Sequence, residues 1–152
     1  IIVPGEFVGL SSVFRKKIFN YSSIALTDCK AFRVEKDTLE KVIKQNGVFA
    51  FKMIQRYCEQ HDKMFEIAHN QLFKQMNGRL ADTLLYLDGL RTQNPDVFQL
   101  LGRKDIADFT GISTESTVKL LKSFEKDGLI SLNEKDIEIH DSAKLKEISK
   151  VG

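Results

Sequence analysis

Apolar residues recur along residues 48–75 with the spacing of a coiled coil, in steps that alternate between three and four residues. No Pro or Gly interrupts this segment. A helix of about 28 residues would be about 42 Å long, which is longer than a small domain needs. The pattern therefore predicts a helix that pairs with its own copy around a two-fold axis, with a core helix within one chain as the alternative. The predicted interface residues are Phe51, Ile54, Cys58, His61, Phe65, Ala68 and Leu72.

His61 lies in the middle of this predicted seam, where it would meet its symmetry mate. Like charges there would disfavour the protonated ring. Three roles are open: a polar residue hydrogen-bonded in the interface, a haem or metal ligand, or a pH sensor. The first is the commonest, and His69 and His140 are too scattered to add a site.

Residues 101–140 have the spacing of a helix-turn-helix followed by a hairpin. Gly111 ends a first short helix, where a turn needs positive φ or close helix approach. Ser113 can cap a second helix, and Gly128 ends it. Two alternating runs then predict a small hairpin, the wing of a winged helix, at Leu129–Asn133 and Asp136–His140. The second helix carries one apolar stripe: Val118, Leu120, Leu121 and Phe124.

The opposite face of this second helix is polar and is predicted to bind DNA. In a major groove a Glu can accept from cytosine N4 and a Lys can reach guanine, while Ser and Thr can also bind phosphate. Further basic residues nearby are candidates for phosphate contacts. The alternative is an ordinary solvated helix face. The predicted DNA-binding residues are Thr114, Glu115, Ser116, Lys119 and Lys122, with Arg103, Lys104 and Lys135 on phosphate.

The first 35 residues have no helical period and predict short strands. These strands are too few and too short to close a sheet alone, and the chain opens on Ile1 without a Met. We therefore expect the chain to be the later part of a longer protein. The basic run Arg15–Lys17 is expected in a solvated loop. The predicted strands are Ile1–Val3, Glu6–Leu10, Ser22–Thr27 and Lys30–Glu35, the first two separated by a Pro4-Gly5 turn.

Two breaks divide the rest of the chain. Asn46-Gly47 ends a short helix that begins near Asp37, which can form a capping box with Glu40. Met76–Gly78 predicts a hinge between domains, and Arg79–Thr92 the next helix. The predicted domains are residues 1–76, a partial effector domain with the long helix, and residues 77–152, a winged helix.

Composition is that of an ordinary globular protein, with 152 residues, 42% hydrophobic and 29% charged. The net charge is only +2. Residues 1–76 hold 12 Lys and Arg against 8 Asp and Glu, a balance of +4, and residues 77–152 hold 11 against 13, a balance of −2. If the second half binds DNA, it must do so through a local basic patch with the acidic residues turned away.

The two cysteines, Cys29 and Cys58, form no metal-spaced cluster and are expected to be free thiols in a reducing cytosol. No metal site is predicted. The sequence shows neither a membrane-spanning stretch nor a signal peptide, so a cytoplasmic protein without a membrane partner is expected. No nucleophile–base pair, metal set or phosphate loop can be assembled, so we do not expect an enzyme.

With these parts in order, the chain resembles the Crp/Fnr family of bacterial transcription regulators. The matching segments are PGEFVGL, GRLADTLLYL and GRKDIADFTGISTESTVKLLKSFEKDGLI. The resemblance implies an α+β fold with the C-terminal part of a cyclic-nucleotide-binding-like β-roll, a long dimerisation helix and a winged helix-turn-helix. It implies a homodimeric, sequence-specific regulator of transcription that binds double-stranded DNA under the control of an effector. RNA polymerase is a further candidate partner.

The family's recognition helix follows a pattern similar to G-x-S-R-E-T-V-x-R-x-L. Aligned without gaps, Glu115 matches the base-reading Glu, and Lys119 replaces the second Arg. Lys lacks the bidentate fork of Arg. Thr114 replaces the first Arg and Ser116 the Thr. We therefore expect a site preference different from that of the best-known family members.

The nucleotide pocket departs from the family pattern more strongly. Members that bind cyclic AMP place a Glu after a Gly and hold the phosphate with an Arg, whereas here Leu10 follows Gly9 and the second region is Phe19–Ser23. A cyclic phosphate buried without a cation would be poorly compensated. Cyclic AMP is therefore not the expected effector. The cofactor stays unknown, with haem or another small effector open, and the cysteine cluster of an iron–sulfur sensor is absent from this sequence.

A second hypothesis comes from the acidic balance of residues 77–152. It is a dimeric sensor or interaction module whose winged helix binds protein rather than DNA. Such a module would show little salt-dependent affinity for DNA.

Overall fold

The structure, a computed structural model, describes residues 1–10, 14 and 21–151. The chain divides into two compact units, residues 1–65 and 66–152. Among the described residues, no helix is both long and apolar enough to cross a membrane. The division into domains at residues 76 and 77 stays a prediction.

Residues 1–9 and 21–35 form turns, bends and irregular backbone, and Leu10 is helical, so the structure does not contain the four strands that the sequence predicted. The predicted turn at Pro4-Gly5 is present, with Gly5 at φ 88°. A strand needs a partner for its backbone groups and a cover for its apolar face. Residues 21–35 have neither, since every residue in that range is exposed, with Ile24 at 85% and Phe32 at 98%. The four strand predictions are therefore wrong for this chain. The predicted loop at Arg15–Lys17 lies outside the described residues.

Helix α1, Lys36–Gln45, starts close to the predicted position but without the predicted cap. Glu35 occupies the N-cap position and makes no side-chain hydrogen bond there. Asp37 instead lies in the first turn, where a negative charge is favoured. Glu40 pairs with Lys44 at 2.6 Å, and this hydrogen bond lowers the pKa of the Glu40 carboxyl. The capping box was thus wrong because the helix begins at Lys36, which places Asp37 inside the first turn and not at the N-cap position.

Helix α2, Gly47–Phe73, is the predicted long helix and contains 27 residues. Asn46 both ends α1 and begins α2. Its backbone N–H donates to the Val42 carbonyl, and its side-chain oxygen accepts from the Phe49 N–H, each at 2.9 Å. This side-chain contact satisfies one of the unpaired N–H groups that every helix start exposes.

Helix α3, Met76–Gly89, continues into a short 3-10 turn, Leu90–Thr92. The break from α2 lies at Lys74-Gln75. The predicted hinge at Met76–Gly78 is therefore wrong, because those residues form the first turn of α3.

The remaining elements form the predicted winged helix-turn-helix. They are α4 (Arg103–Thr110), α5 (Thr114–Lys126), β1 (Ile130–Asn133), β2 (Asp136–Ile139) and α6 (Ser142–Val151). Strands β1 and β2 are antiparallel, with Ile130 opposite Ile139 and Asn133 opposite Asp136. The hairpin prediction is confirmed to within one residue at each end, and the α+β class with it.

One hydrophobic core lies beneath these elements in residues 66–152. Helix α3 buries Leu80, Thr83, Leu84 and Leu87. Thr83 and Thr110 join α3 to α4 by a buried hydroxyl contact of 3.1 Å. The other fully buried side chains come from the loop after α3, from α4 and α5, from both strands and from α6: Phe98, Ile106, Leu121, Ile130, Ile137 and Leu145.

Candidate nucleic-acid interface

The turn between α4 and α5 determines where the second helix begins. Gly111 is left-handed, with φ 73° and ψ 38°, and its N–H donates to the Ala107 carbonyl at 2.9 Å. Ser113 then caps α5, because its hydroxyl oxygen accepts from the Ser116 N–H at 3.1 Å. Both predictions from the sequence are confirmed. A left-handed Gly followed by a Ser cap fixes the direction in which α5 leaves the turn.

Helix α5 has one buried face and one solvent face. Leu121 and Phe124 are buried as predicted, and Val118 and Leu120 are half-buried. Thr117, which the predicted stripe omitted, is fully buried, and its hydroxyl donates to the Ser113 carbonyl at 3.1 Å. Four of the five predicted DNA-binding residues of α5 are exposed and Ser116 is half-exposed, so all five lie on the solvent side: Thr114, Glu115, Ser116, Lys119 and Lys122.

The charged reading residues partly pair with each other. Lys119 Nζ lies 2.8 Å from Glu115 Oε1, and their side chains are 75% and 78% exposed. A pair this exposed contributes little to stability because water and salt screen it. It can therefore open without much cost when another partner approaches. Lys122 is exposed, and no hydrogen bond or ion pair links it to another described residue.

Arg103 was predicted to contact phosphate, but the structure uses it within the fold. Its Nη2 donates to the Glu134 carbonyl in the hairpin turn at 3.2 Å. Its Nη1 is buried and has no hydrogen-bond partner among the described residues. Burial lowers the pKa of this guanidinium, and the nearby Glu125 carboxylate opposes that shift. A guanidinium nevertheless stays charged, so Arg103 links the start of α4 to the wing turn.

The other two phosphate candidates are exposed. Lys104 pairs with Asp108 one turn along α4 at 2.6 Å, and this contact raises the pKa of the lysine. Lys135 lies in the hairpin turn beside Glu134. Arg103 and the wing turn are thus brought together, while Lys104 is paired on its own helix. Their role in phosphate binding stays a prediction.

Arg91 holds the wing in place, and the sequence analysis missed it. Its Nη2 lies 2.8 Å from Asp136 Oδ1 and donates to the Ile137 carbonyl at 2.7 Å. Its Nη1 donates to the Pro95 carbonyl at 2.9 Å, and the guanidinium carbon lies 4.9 Å from the centre of the Phe98 ring. These partners lie up to 46 residues away along the chain, so no local pattern could show them.

Glu125 gives the wing a second attachment to α5. Its Oε1 accepts from the Leu132 N–H of β1 at 3.1 Å. Together with the Arg91 contacts, this fixes the hairpin against the helix that carries the reading residues.

The junction between α2 and α3 is also tied to the helix-turn-helix. Arg79 Nη1 donates to the Gly111 carbonyl at 3.3 Å. Asp82 accepts from Lys74 at 2.5 Å and from the Ser149 hydroxyl of α6. The sequence pattern marked none of these residues, because each contact joins different elements, over 8 to 67 residues along the chain.

The predicted seam residues of α2 are all exposed to solvent. The exposed fractions are 62% for Phe51, 60% for Ile54, 68% for Phe65 and 77% for Leu72. Cys58 is a free, exposed thiol. His61 and Ala68 are exposed as well. Within one chain, the described residues contain no group of three or more potential metal ligands.

Comparison with known proteins places this arrangement in a family. A family model described as a Crp-like helix-turn-helix domain matches residues 78–148, which hold the turn, α5 and the wing. Residues 78–148 therefore hold a Crp-like helix-turn-helix domain. The Crp/Fnr proteins that this chain resembles are transcriptional regulators and not enzymes, in agreement with the sequence-based prediction.

Two relatives show how far the likeness extends along the chain. The transcriptional regulatory protein btr of Bordetella pertussis is 21% identical over 150 residues, which are 96% of this chain and 62% of that protein. The cAMP-activated global transcriptional regulator CRP of Salmonella typhimurium is 25% identical over 142 residues, which are 90% of this chain and 67% of that protein. The chain therefore spans roughly two thirds of the length of these curated relatives.

Solved structures share the fold. FixK2 from Bradyrhizobium japonicum matches with a TM-score of 0.65 and 18% identity, over 76% of this chain and 59% of that one. A CooA variant from Carboxydothermus hydrogenoformans matches with a TM-score of 0.61 and 21% identity, over 74% and 54%. At these identities the likeness concerns the fold alone.

Proposed function

We propose that this chain is a homodimeric, sequence-specific DNA-binding regulator of transcription. The observation that carries the proposal is the solvent face of α5. Its polar residues stand on a helix whose start is fixed by Gly111 and Ser113 and whose inner face is buried. A preorganised helix of this kind inserts its N-terminal residues into a major groove.

In this arrangement Glu115 and Lys119 read bases. Their exposed ion pair opens on the DNA, so that the carboxylate accepts from a cytosine amino group and the ammonium reaches a guanine. Lys122 and Lys135 contact phosphates and carry no sequence information. Arg103 acts indirectly, since its contact with Glu134 holds the wing turn that presents Lys135.

The exposed seam of α2 supports pairing with a second copy. Its apolar residues repeat over a helix about 40 Å long, and a stable dimer buries about 800 Å² per partner. Pairing would remove Phe51, Phe65 and Leu72 from water. Two copies related by a two-fold axis would read half-sites about one helical turn of DNA apart.

The N-terminal region is the proposed place of effector control, and cyclic AMP is not the proposed effector. Leu10, at the position of the family's ribose-binding Glu, is an apolar side chain that is only 4% exposed. The Phe19-Asn20 segment, where an Arg would hold the phosphate, lies outside the described residues. Measurable binding of cyclic AMP in a calorimetric titration would overturn this part of the proposal.

The experiment is selection from a randomised duplex pool at two salt concentrations. Enrichment of a two-fold symmetric site, with an affinity that falls steeply with salt, is the expected result. Glu115→Ala should relax base preference at one position of each half-site. Lys122→Ala should weaken all sites alike and reduce the salt slope by about 1. Lys146→Ala, the same charge change on exposed α6 surface, is the matched control.

The net charge of residues 77–152 favours a second candidate, a winged helix that binds protein. Residues 77–152 carry 11 Lys and Arg against 13 Asp and Glu. No enriched site in either salt condition, together with an unchanged result after both substitutions, would contradict DNA reading and support this candidate.

A further inference from the structure

Cys58 and His61 lie side by side at the centre of the seam of α2. They are three residues apart on one helix, so their Cβ atoms are about 5–6 Å apart on the same face. Both are exposed, and no hydrogen bond, ion pair, disulfide or ring contact joins either side chain to another described residue. Thiolate and imidazole are the ligands that zinc prefers in proteins.

The heptad register places both residues in the interface that the proposed dimer requires. Cys58 occupies an a position and His61 the following d position, between apolar layers at Ile54 and Phe65. The two residues also bracket the midpoint of α2, Gly47–Phe73. Two copies that align their full seams therefore bring these residues together whether the helices run parallel or antiparallel.

The pairing of two copies converts two potential ligands into four. One chain alone offers no group of three among its described residues, but the dimer supplies two thiols and two imidazoles in adjacent layers. Paired helices lie about 8–10 Å apart, and two adjacent layers are separated by about 4.5 Å along the axis. Zn–S bonds of about 2.3 Å and Zn–N bonds of about 2.0–2.1 Å then allow the four ligand atoms to converge on one ion between the helices.

We propose that Cys58 and His61 of two copies bind one zinc-class divalent ion in a tetrahedral Cys2His2 site that bridges the two α2 helices. Each Cys58 thiol loses its proton on binding, so two protons are released for each ion, and each His61 binds as the neutral ring. The apolar layers on both sides exclude water from the site. This inference rests on the proposed dimer.

The site also accounts for two polar residues in an otherwise apolar seam. Without an ion, a dimer would bury two thiols and two imidazoles against each other at its centre, and protonated rings there would repel. An ion satisfies all four groups at once. Since it binds only the paired form, it should strengthen pairing by mass action.

The test is a Co²⁺ titration of the reduced, chelator-treated chain under anaerobic conditions. We expect thiolate-to-cobalt charge-transfer absorption and the intense visible bands of tetrahedral cobalt, saturating at one ion per two chains and displaced by Zn²⁺. Cys58→Ser should lose the charge-transfer band. Cys29→Ser, which changes the other exposed thiol, should retain it. His61→Leu should lose tetrahedral binding while it keeps an apolar seam.

Sedimentation with and without Zn²⁺ separates the site from the dimer. At a free ion concentration about ten times its own dissociation constant, the dimer dissociation constant should fall about tenfold or more. It should not change in Cys58→Ser or His61→Leu. A dimer that forms without a cobalt–thiolate signal would overturn the metal site alone. A chain that stays monomeric in every condition would overturn both the site and the dimer on which it rests.

Discussion

Replacing Gly111 by Ala tests the turn that directs α5. Gly111 has φ 73° and ψ 38°, a conformation that costs an L-residue about 1–2 kcal/mol. A Cβ built there would lie 3.1 Å from Gln71 Nε2 and 3.6 Å from Arg79 Nη1. The nearest atom is the end of an exposed, flexible side chain, so crowding should add only a few tenths of a kcal/mol. We therefore expect the free energy of unfolding to fall by about 1–2 kcal/mol.

The assay is urea and thermal unfolding followed by circular dichroism. For a unit of 60–100 residues, a loss of about 1 kcal/mol lowers the midpoint temperature by about 4–8 °C. Gly128→Ala is the matched control, because Gly128 has nearly the same φ of 72° but no atom within 4 Å of the added Cβ. Its loss of unfolding free energy should reflect only the left-handed backbone conformation, since the added Cβ meets no neighbouring atom. Gly111→Asn should lose less, since Asn tolerates the left-handed region.

Gly89→Ala should change the free energy of unfolding in the opposite direction. Gly89 ends α3 with φ −58°, and nothing lies within 4 Å of an added Cβ. Ala there should stabilise the unit by about 0.5–1 kcal/mol. If Gly111→Ala were as stabilising as Gly89→Ala, the left-handed turn between α4 and α5 would be refuted.

Three further predictions concern the core, the wing and the seam. Leu121→Ala should lower the free energy of unfolding by about 2–5 kcal/mol in urea titrations, because the side chain is 1% exposed; a loss below that range would contradict its place in the core. Arg91→Lys should lower the free energy of unfolding by about 1.5–3 kcal/mol, since one ammonium cannot replace the contacts to Asp136 and two carbonyls. An unchanged free energy of unfolding in the same titration would argue against these contacts. Phe65→Glu should abolish dimers in sedimentation, whereas Lys63→Glu, at the heptad position facing away from the seam, should not, and equal effects would contradict the heptad register.

Local signals in the sequence predicted most of the winged helix correctly. Gly111, Ser113 and Gly128 act on their own neighbours, so their effects can be inferred without knowing the rest of the fold. The wing was predictable for the same reason, because a short turn between alternating runs fixes its own register.

The predictions that failed, and the contacts that were missed, depend mostly on residues outside the local sequence pattern. The strands before α1 needed a ladder that residues 1–10 and 21–35 do not form with one another. The capping box was wrong because α1 begins at Lys36, so Asp37 lies inside the first turn. The contact of Arg103 with the wing turn, 31 residues away, was not predicted. Such contacts follow from tertiary packing and leave no trace in residue spacing.

The double use of Asn46 has a consequence for how this chain can vary in length. One residue ends α1 and begins α2, so the connection between the two helices contains no further loop residue. An insertion of one residue there would rotate α1 about its axis by about 100°. This rotation would expose Leu39, the one buried residue of α1, to solvent. Natural or engineered insertions should therefore be excluded at Asn46.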